Sequence, residues 1–180
     1  MLRIALAVAL SLVLVDRASA LEPPREEAAK APEEKPAPHL LDRFKALAGE
    51  WSAEGLDGNS DPQMRIRYEV TAGGSAVVET LWPGGPHEMR TVYFRDGEDV
   101  VLTHYCASGH HPRMRAKPME GNKLVFAFDG ASNFDPAKDG HMHDAHFVFE
   151  GADEIRSRWS FWNEGKPGDH VADMHVKRVR

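Results

Sequence analysis

Eight of the chain's ten histidines fall between His104 and His175, and its lone cysteine, Cys106, stands two residues after His104. Imidazoles bind metals and move protons near neutral pH, so their spacing decides which chemistry they could do. His141-x-His143 puts two rings on one face of an extended strand, about 6.5–7 Å apart along the backbone. A third ligand from His104 or His170 would complete a three-histidine zinc or iron site with an open position. The metal set this suggests is His141, His143 and His104. Cys106, with histidines nearby, admits either Cys–His nucleophilic catalysis or a buried structural thiol. No Glu stands beside the histidine pair as in H-E-x-x-H, and G-x-S-x-G, P-loop and G-x-G-x-x-G patterns are absent. Asp57-x-Asn59-x-Asp61 opens like a calcium loop, but Pro62 stands where Gly is required and Tyr68 where the bidentate Glu belongs. No reaction follows from these residues, and a binding protein fits them better than an enzyme.

Which of these side chains can converge depends on the strands that carry them. Met64-Arg65-Ile66-Arg67-Tyr68-Glu69-Val70 is apolar on even numbers and charged on odd, the alternation of a strand with one face on a core. Similar runs predict strands near 50–57, 63–71, 75–82, 88–95, 98–106, 112–118, 122–128, 143–150, 153–162 and 169–179. Asp96-Gly97, Gly121-Asn122 and Gly151-Ala152-Asp153 supply turns between them. Asp129 to Gly140 is the one long connection, either a binding loop or a plain connector. Upstream, Leu40, Leu41, Phe44 and Leu47 line one face at helical spacing, and Gly49 is a stop. The fold class is all-β: a closed antiparallel meander barrel of about ten strands with one short N-terminal helix docked on its mouth.

Parity then selects the lumen, because alternate residues of a barrel strand face inward. Leu124, Phe126 and Phe128 set the inner face of one strand, and Ile155, Trp159 and Phe161 that of another. Phe147 and Phe149 bring Ala145, His143 and His141 with them and leave His146 outside. Ala172, Met174 and Val176 place His170 inside and His175 outside. If Leu102 points in, His104 and Cys106 do too, and Tyr105 does not. The ligand cavity so defined contains His104, Cys106, His141, His143 and His170, walled by Met64, Tyr68, Phe126, Phe147, Trp159, Phe161 and Met174. An apolar lining with a few polar groups suits a small, mostly apolar molecule. A filled barrel whose histidines are hydrogen-bonded core or rim residues has the same pattern. His110-His111, before Pro112, falls at a surface turn.

The ends of the chain set its address. Arg3, the apolar run Ile4 to Val15 and Ala18-Ser19-Ala20 form a secretory signal with cleavage after Ala20. Twelve apolar residues rise only about 18 Å as a helix, short of a bilayer core, so no span is expected in the mature chain. A periplasmic or secreted location follows. Residues 21–38 carry Pro23, Pro24, Pro32, Pro36 and Pro38 among Glu, Lys and Ala, the composition of a disordered linker. Residues 39–180 are then the domain. Losing Arg3, Arg17 and Asp16 with the signal takes the formal charge from −6 to −7, which argues against nucleic acid or an anionic membrane as partner. One cysteine allows no internal disulfide, so stability rests on the hydrophobic core.

A helix, then Gly49-x-Trp51 on the first strand, a meander, and Arg178 and Arg180 on the last strand resemble the calycin architecture. Within it, the short tandem hairpins and the length are similar to ten-stranded barrels of the fatty-acid-binding-protein and nitrobindin type, and to lipocalin-like bacterial domains. The resemblance covers residues 40–180. It implies that Trp51 packs across the closed end of the barrel against Arg178, a cation–π contact worth about 0.5–2 kcal/mol. It also implies a small apolar ligand in the lumen and, through nitrobindin, haem or nitric oxide. Nitrobindin's glycine-rich first-strand extension is only partly present, as Gly49, Gly55 and Gly58.

Overall fold

The computed structural model describes residues 39–55 and 64–179. The cleavage site after Ala20, the 21–38 linker and the Asp57-x-Asn59-x-Asp61 segment lie outside the described residues. The described chain opens with helix α1 (Leu40–Lys45), followed by ten strands: β1 (Gly49–Gly55), β2 (Arg65–Thr71), β3 (Ala76–Leu81), β4 (Met89–Asp96), β5 (Asp99–Tyr105), β6 (His111–Ala116), β7 (Lys123–Ser132), β8 (His141–Phe149), β9 (Glu154–Asn163) and β10 (Lys166–Arg178). Every strand pairs antiparallel with its chain neighbour, and β1 pairs with β10, so the sheet closes into a barrel. This is the expected fold class, compatible with a small calycin-like barrel. No described helix is long and apolar enough to cross a membrane.

Three strands run further than period-2 reading allows. β7 continues to Ser132 and β8 begins at His141, so the connection expected over 129–140 shrinks to 133–140. β7 can extend because register shifts near Arg113 and Met114 on β6, leaving Asp129 as an extra residue in β7 opposite them, and Gly130 then takes a φ of 145°. β10 likewise starts at Lys166, with a bulge between Pro167 and Val171.

α1 is too short to be stable alone and forms because the barrel end buries it. His39 caps it, with its Nδ1 accepting from the Leu41 N–H and its own N–H donating to Asp42. Leu41 and Phe44 are fully buried. The Phe44 ring stacks on Tyr93 at 4.2 Å and meets Phe126, Phe147 and Phe149 edge-on at 5.8–5.9 Å. Burying these two apolar side chains is worth about 1.5–3 kcal/mol each, which offsets part of the entropy of ordering the helix.

The same end is sealed by Trp51 and Arg178, which face each other across the β1–β10 seam. The guanidinium lies over the indole, 4.3 Å from its centroid. It also donates to the Ala46 and Ala48 carbonyls just past α1, each at 2.8 Å, and to Asp153 at 2.9 Å. The Trp51 indole N–H donates to the Leu47 carbonyl at 2.7 Å. Gly49 is required here twice over: its φ is 127°, and a Cβ would stand 3.2 Å from Arg178 Nη1.

Candidate functional site

With α1 filling one end, open space inside the barrel is left at the other, where β5 ends, β6 begins and β8 begins. Tyr68, Phe126 and Phe147 are buried packing residues of the filled part. Above them lies an inner compartment of about 60 Å³ lined by Met64, Leu81, Trp82, Met89, His104, Met142, Trp159, Ala172 and Met174. Nearer the rim is an outer compartment of about 260 Å³, bounded by Cys106, His110, His141, Met142, Phe161 and His170 among others. Met142 borders both. A larger depression of about 450 Å³ beside α1 is open and lined partly by His39, Arg43, Glu98, Asp99 and Lys117, an ordinary polar surface.

The predicted residues therefore separate into three places. His104, Trp159 and Met174 line the inner compartment, and Cys106, His141, Phe161 and His170 the outer one. Leu102 is fully buried and carries His104 inward with it, while Tyr105 is 46% exposed. His143 goes to neither compartment. Period 2 from Phe147 and Ala145 predicts it inside, but β8 bulges between Met142 and Asp144 against β9. The pairing Ala145↔Trp159, then Met142↔Phe161, puts Met142 on the inner face and leaves His143 as the extra residue. His143 is instead clamped between Trp162 at 3.7 Å and Phe128 at 4.7 Å, both nearly parallel to it. Burial and neighbouring His141 lower its pKa. His146 is exposed beside Asp144, and His175 pairs with Glu154.

The expected three-histidine metal set is not gathered. Among the described residues, only Glu150, Glu154 and His175 bring three His, Cys, Asp or Glu ligand atoms within 4.8 Å of one another. His141 has both nitrogens engaged: Nδ1 donates to the Asp139 carbonyl at 2.9 Å, and Nε2 lies 3.0 Å from His143 Nδ1. A porphyrin does not fit these residues either. His104 faces a space of about 60 Å³ walled by indoles and thioethers, and the flanks of the His143 ring are taken by Phe128 and Trp162.

A buried polar chain underlies the inner compartment, and it is the part sequence reading missed. Glu79 on β3 is 2% exposed. The Tyr68 hydroxyl on β2 donates to its Oε1 at 2.6 Å, and the Tyr93 hydroxyl on β4 to its Oε2 at 2.9 Å. Thr91 on β4 is the cross-strand partner of Glu79. The Thr91 oxygen lies 3.0 Å from Nδ1 of His104, its partner on β5. Desolvation raises the Glu79 pKa against the pull of the neighbouring hydroxyls. Burial, then the Glu79 charge, pushes both tyrosines well above their ordinary value. Burial, with some repulsion from His111, lowers His104 to about 4, so the ring is neutral at pH 7. A signal for Glu79 existed, since it is in phase with Val77 and Leu81, both buried.

The chain matches no protein-family model and no curated protein. Function has to be read from the barrel itself. All three register shifts, at Asp129, His143 and 168–170, lie toward the end that holds the two compartments. Bulges re-aim side chains and collect next to binding sites. Here they bring Met142 to the wall shared by both spaces and set His170 at the rim.

Proposed function

We propose that the protein is an exported carrier of a small, mostly apolar molecule held in the two adjoining compartments at the barrel mouth. The observation that carries this reading is the division of the interior. One end is packed solid by Phe44, Tyr93, Phe126 and Phe147, while the other keeps apolar space with one neutral imidazole buried in it. A mostly apolar lining with few polar groups is what small-molecule sites have. Methionine supplies four of the nine inner wall residues, and its flexible thioether adapts to irregular ligands. In this reading residues 1–20 direct export to the periplasm or beyond, 21–38 tether, and 39–180 bind. The acidic chain carries its cargo in solution, without nucleic acid and without a membrane span.

The test is occupancy. Protein purified without added ligand is extracted and the extract examined by mass spectrometry, alongside fluorescence titration with toluene and 1-octanol. Toluene quenching of Trp82 and Trp159 is expected, and Met142→Trp, which fills the shared wall, should abolish it without lowering thermal stability. Equal binding in wild type and Met142→Trp would move the function elsewhere on the molecule. A Soret band, or stoichiometric zinc or iron in the same preparation, would replace the carrier by a haem or metal protein.

A further inference from the structure

We infer that the inner compartment is a copper(I) site, in which the thioethers of Met64, Met89, Met142 and Met174 close on a soft monovalent cation. This goes beyond the carrier reading and does not depend on it: the ion uses the sulfur atoms, and an apolar cargo uses the space.

The donors meet only in the folded barrel. Met64 stands just before β2, Met89 opens β4, Met142 sits at the β8 bulge and Met174 lies on β10, yet all four line one space of about 60 Å³. Met114 and Met119, the other methionines of the described chain, do not border it. Packing alone does not account for the arrangement. Methionine fills irregular gaps more readily than other side chains, and here four of them surround a gap and leave it open. Met64 is buried and the other three are half-buried. Three rotatable bonds in each side chain let the sulfurs turn onto an ion at small cost.

The chemistry of the wall picks the ion. Thioethers are uncharged soft donors, and soft donors select copper(I). No carboxylate, hydroxyl or amide side chain lines the compartment, so calcium, magnesium and manganese find no side-chain oxygen there. Zinc finds one histidine and no thiolate or carboxylate. No lysine or arginine lines the wall, and His104, lowered by burial to about 4, is neutral at pH 7, so it does not repel a cation. Trp82 and Trp159 add indole surface that attracts one. Charge balance comes from below. Glu79 is buried two cross-strand steps from His104, through Thr91. The Tyr68 and Tyr93 hydroxyls donate to it, and no ion pair joins it among the described residues. A buried carboxylate without a cation is costly, and an ion among the methionines supplies one.

Silver(I), equally soft and inert to redox change, is the probe of location. In protein carrying ¹³C-labelled methionine methyl groups, one equivalent of silver(I) should shift the methyl signals of Met64, Met89, Met142 and Met174 and leave those of Met114 and Met119 in place. Cys106, in the outer compartment, is the competing soft donor. Copper(I) affinity is therefore measured in Cys106→Ser, by competition with bicinchoninate. Adding Met142→Leu and Met174→Leu, which keep the wall apolar and nearly the same size, should weaken copper(I) by about tenfold or more while toluene binding stays. Methionine signals that do not move, loss of silver(I) binding in Cys106→Ser, or equal copper(I) affinity with and without the two leucines each overturns the inference. Shifted methionine signals in a protein that binds no toluene would support the copper site and overturn the carrier reading.

Discussion

Arg178→Met is the sharpest probe of how this barrel is closed. The substitution keeps an unbranched side chain over Trp51 and removes the guanidinium. Two hydrogen bonds at 2.8 Å to the Ala46 and Ala48 carbonyls disappear. Those carbonyls sit at the end of the barrel where water reaches them, so about 1 kcal/mol each is appropriate, the low side of a charged hydrogen bond. The cation–π contact at 4.3 Å adds about 1 kcal/mol. The Asp153 pair, with its carboxylate 47% exposed, adds at most about 0.5 kcal/mol. The expected loss is about 3–4 kcal/mol, a drop of about 10 °C in Tm for a domain of this size. Urea denaturation followed by far-ultraviolet circular dichroism measures it. Arg178→Lys should recover less than half, because an ammonium cannot bridge two carbonyls and Asp153 as a planar fork does. Equal stability of Arg178→Lys and wild type, or a loss below about 0.5 kcal/mol in Arg178→Met, would refute the reasoning. The seam would then be held by strand pairing alone.

Other outcomes follow from the same geometry. Trp51→Ala should cost about 3–5 kcal/mol, as for other large buried aromatics, and should combine less than additively with Arg178→Met in a double-mutant cycle. Gly49→Ala should cost about 1–3 kcal/mol, and most of that loss should persist in the Arg178→Met background, because the positive φ outweighs the contact. Glu79→Leu should destabilise by about 3 kcal/mol or more by leaving two buried hydroxyls unpaired, and adding Tyr68→Phe and Tyr93→Phe should restore most of it. His104 has a folded pKa of about 4, below its unfolded value, so the unfolded chain binds the extra proton first and stability falls as pH drops from 6.5 toward 4. Wild type should lose about 3 kcal/mol relative to His104→Phe over that window, measured by denaturation at each pH.

Most of the fold was legible because it is written locally. Alternating apolar and charged residues placed all ten strands within a few residues of where they lie, and the 40, 41, 44, 47 spacing marked α1. Trp51 and Arg178 were found as partners through the resemblance of the two ends of the chain to a known barrel. The site was legible only in part. Parity carried His104 and Trp159 to the lumen because β5 and β9 keep register over those positions. It failed at His143 because one extra residue in β8 exchanges the faces, and nothing in the local sequence announces the bulge. Glu79 is illegible from the sequence because a carboxylate on a strand reads as solvent-facing. What keeps it inside is Tyr68 and Tyr93, which belong to two other strands. Met64, Met89, Met142 and Met174 meet for the same non-local reason, since only the barrel's register assembles them.

The two ends of the barrel solve opposite problems, and the placement of irregularity shows it. A closed antiparallel barrel with unbroken register would have every inner position filled by the next inward side chain, leaving little room for cargo. At the α1 end that is what happens: β1 pairs with β10 without a shift, Arg178 ties the seam to the helix, and aromatic rings fill the interior. At the other end, register breaks on β7, β8 and β10, and the space opens there. Methionines, one buried and three half-buried, give that region walls that move at little cost. Glu79 lies between the two regimes, its carboxylate fixed by the Tyr68 and Tyr93 hydroxyls. An apolar residue put in place of Glu79 alone would leave the Tyr68 and Tyr93 hydroxyls unpaired inside the barrel, so the carboxylate and its two donors have to be kept or replaced together.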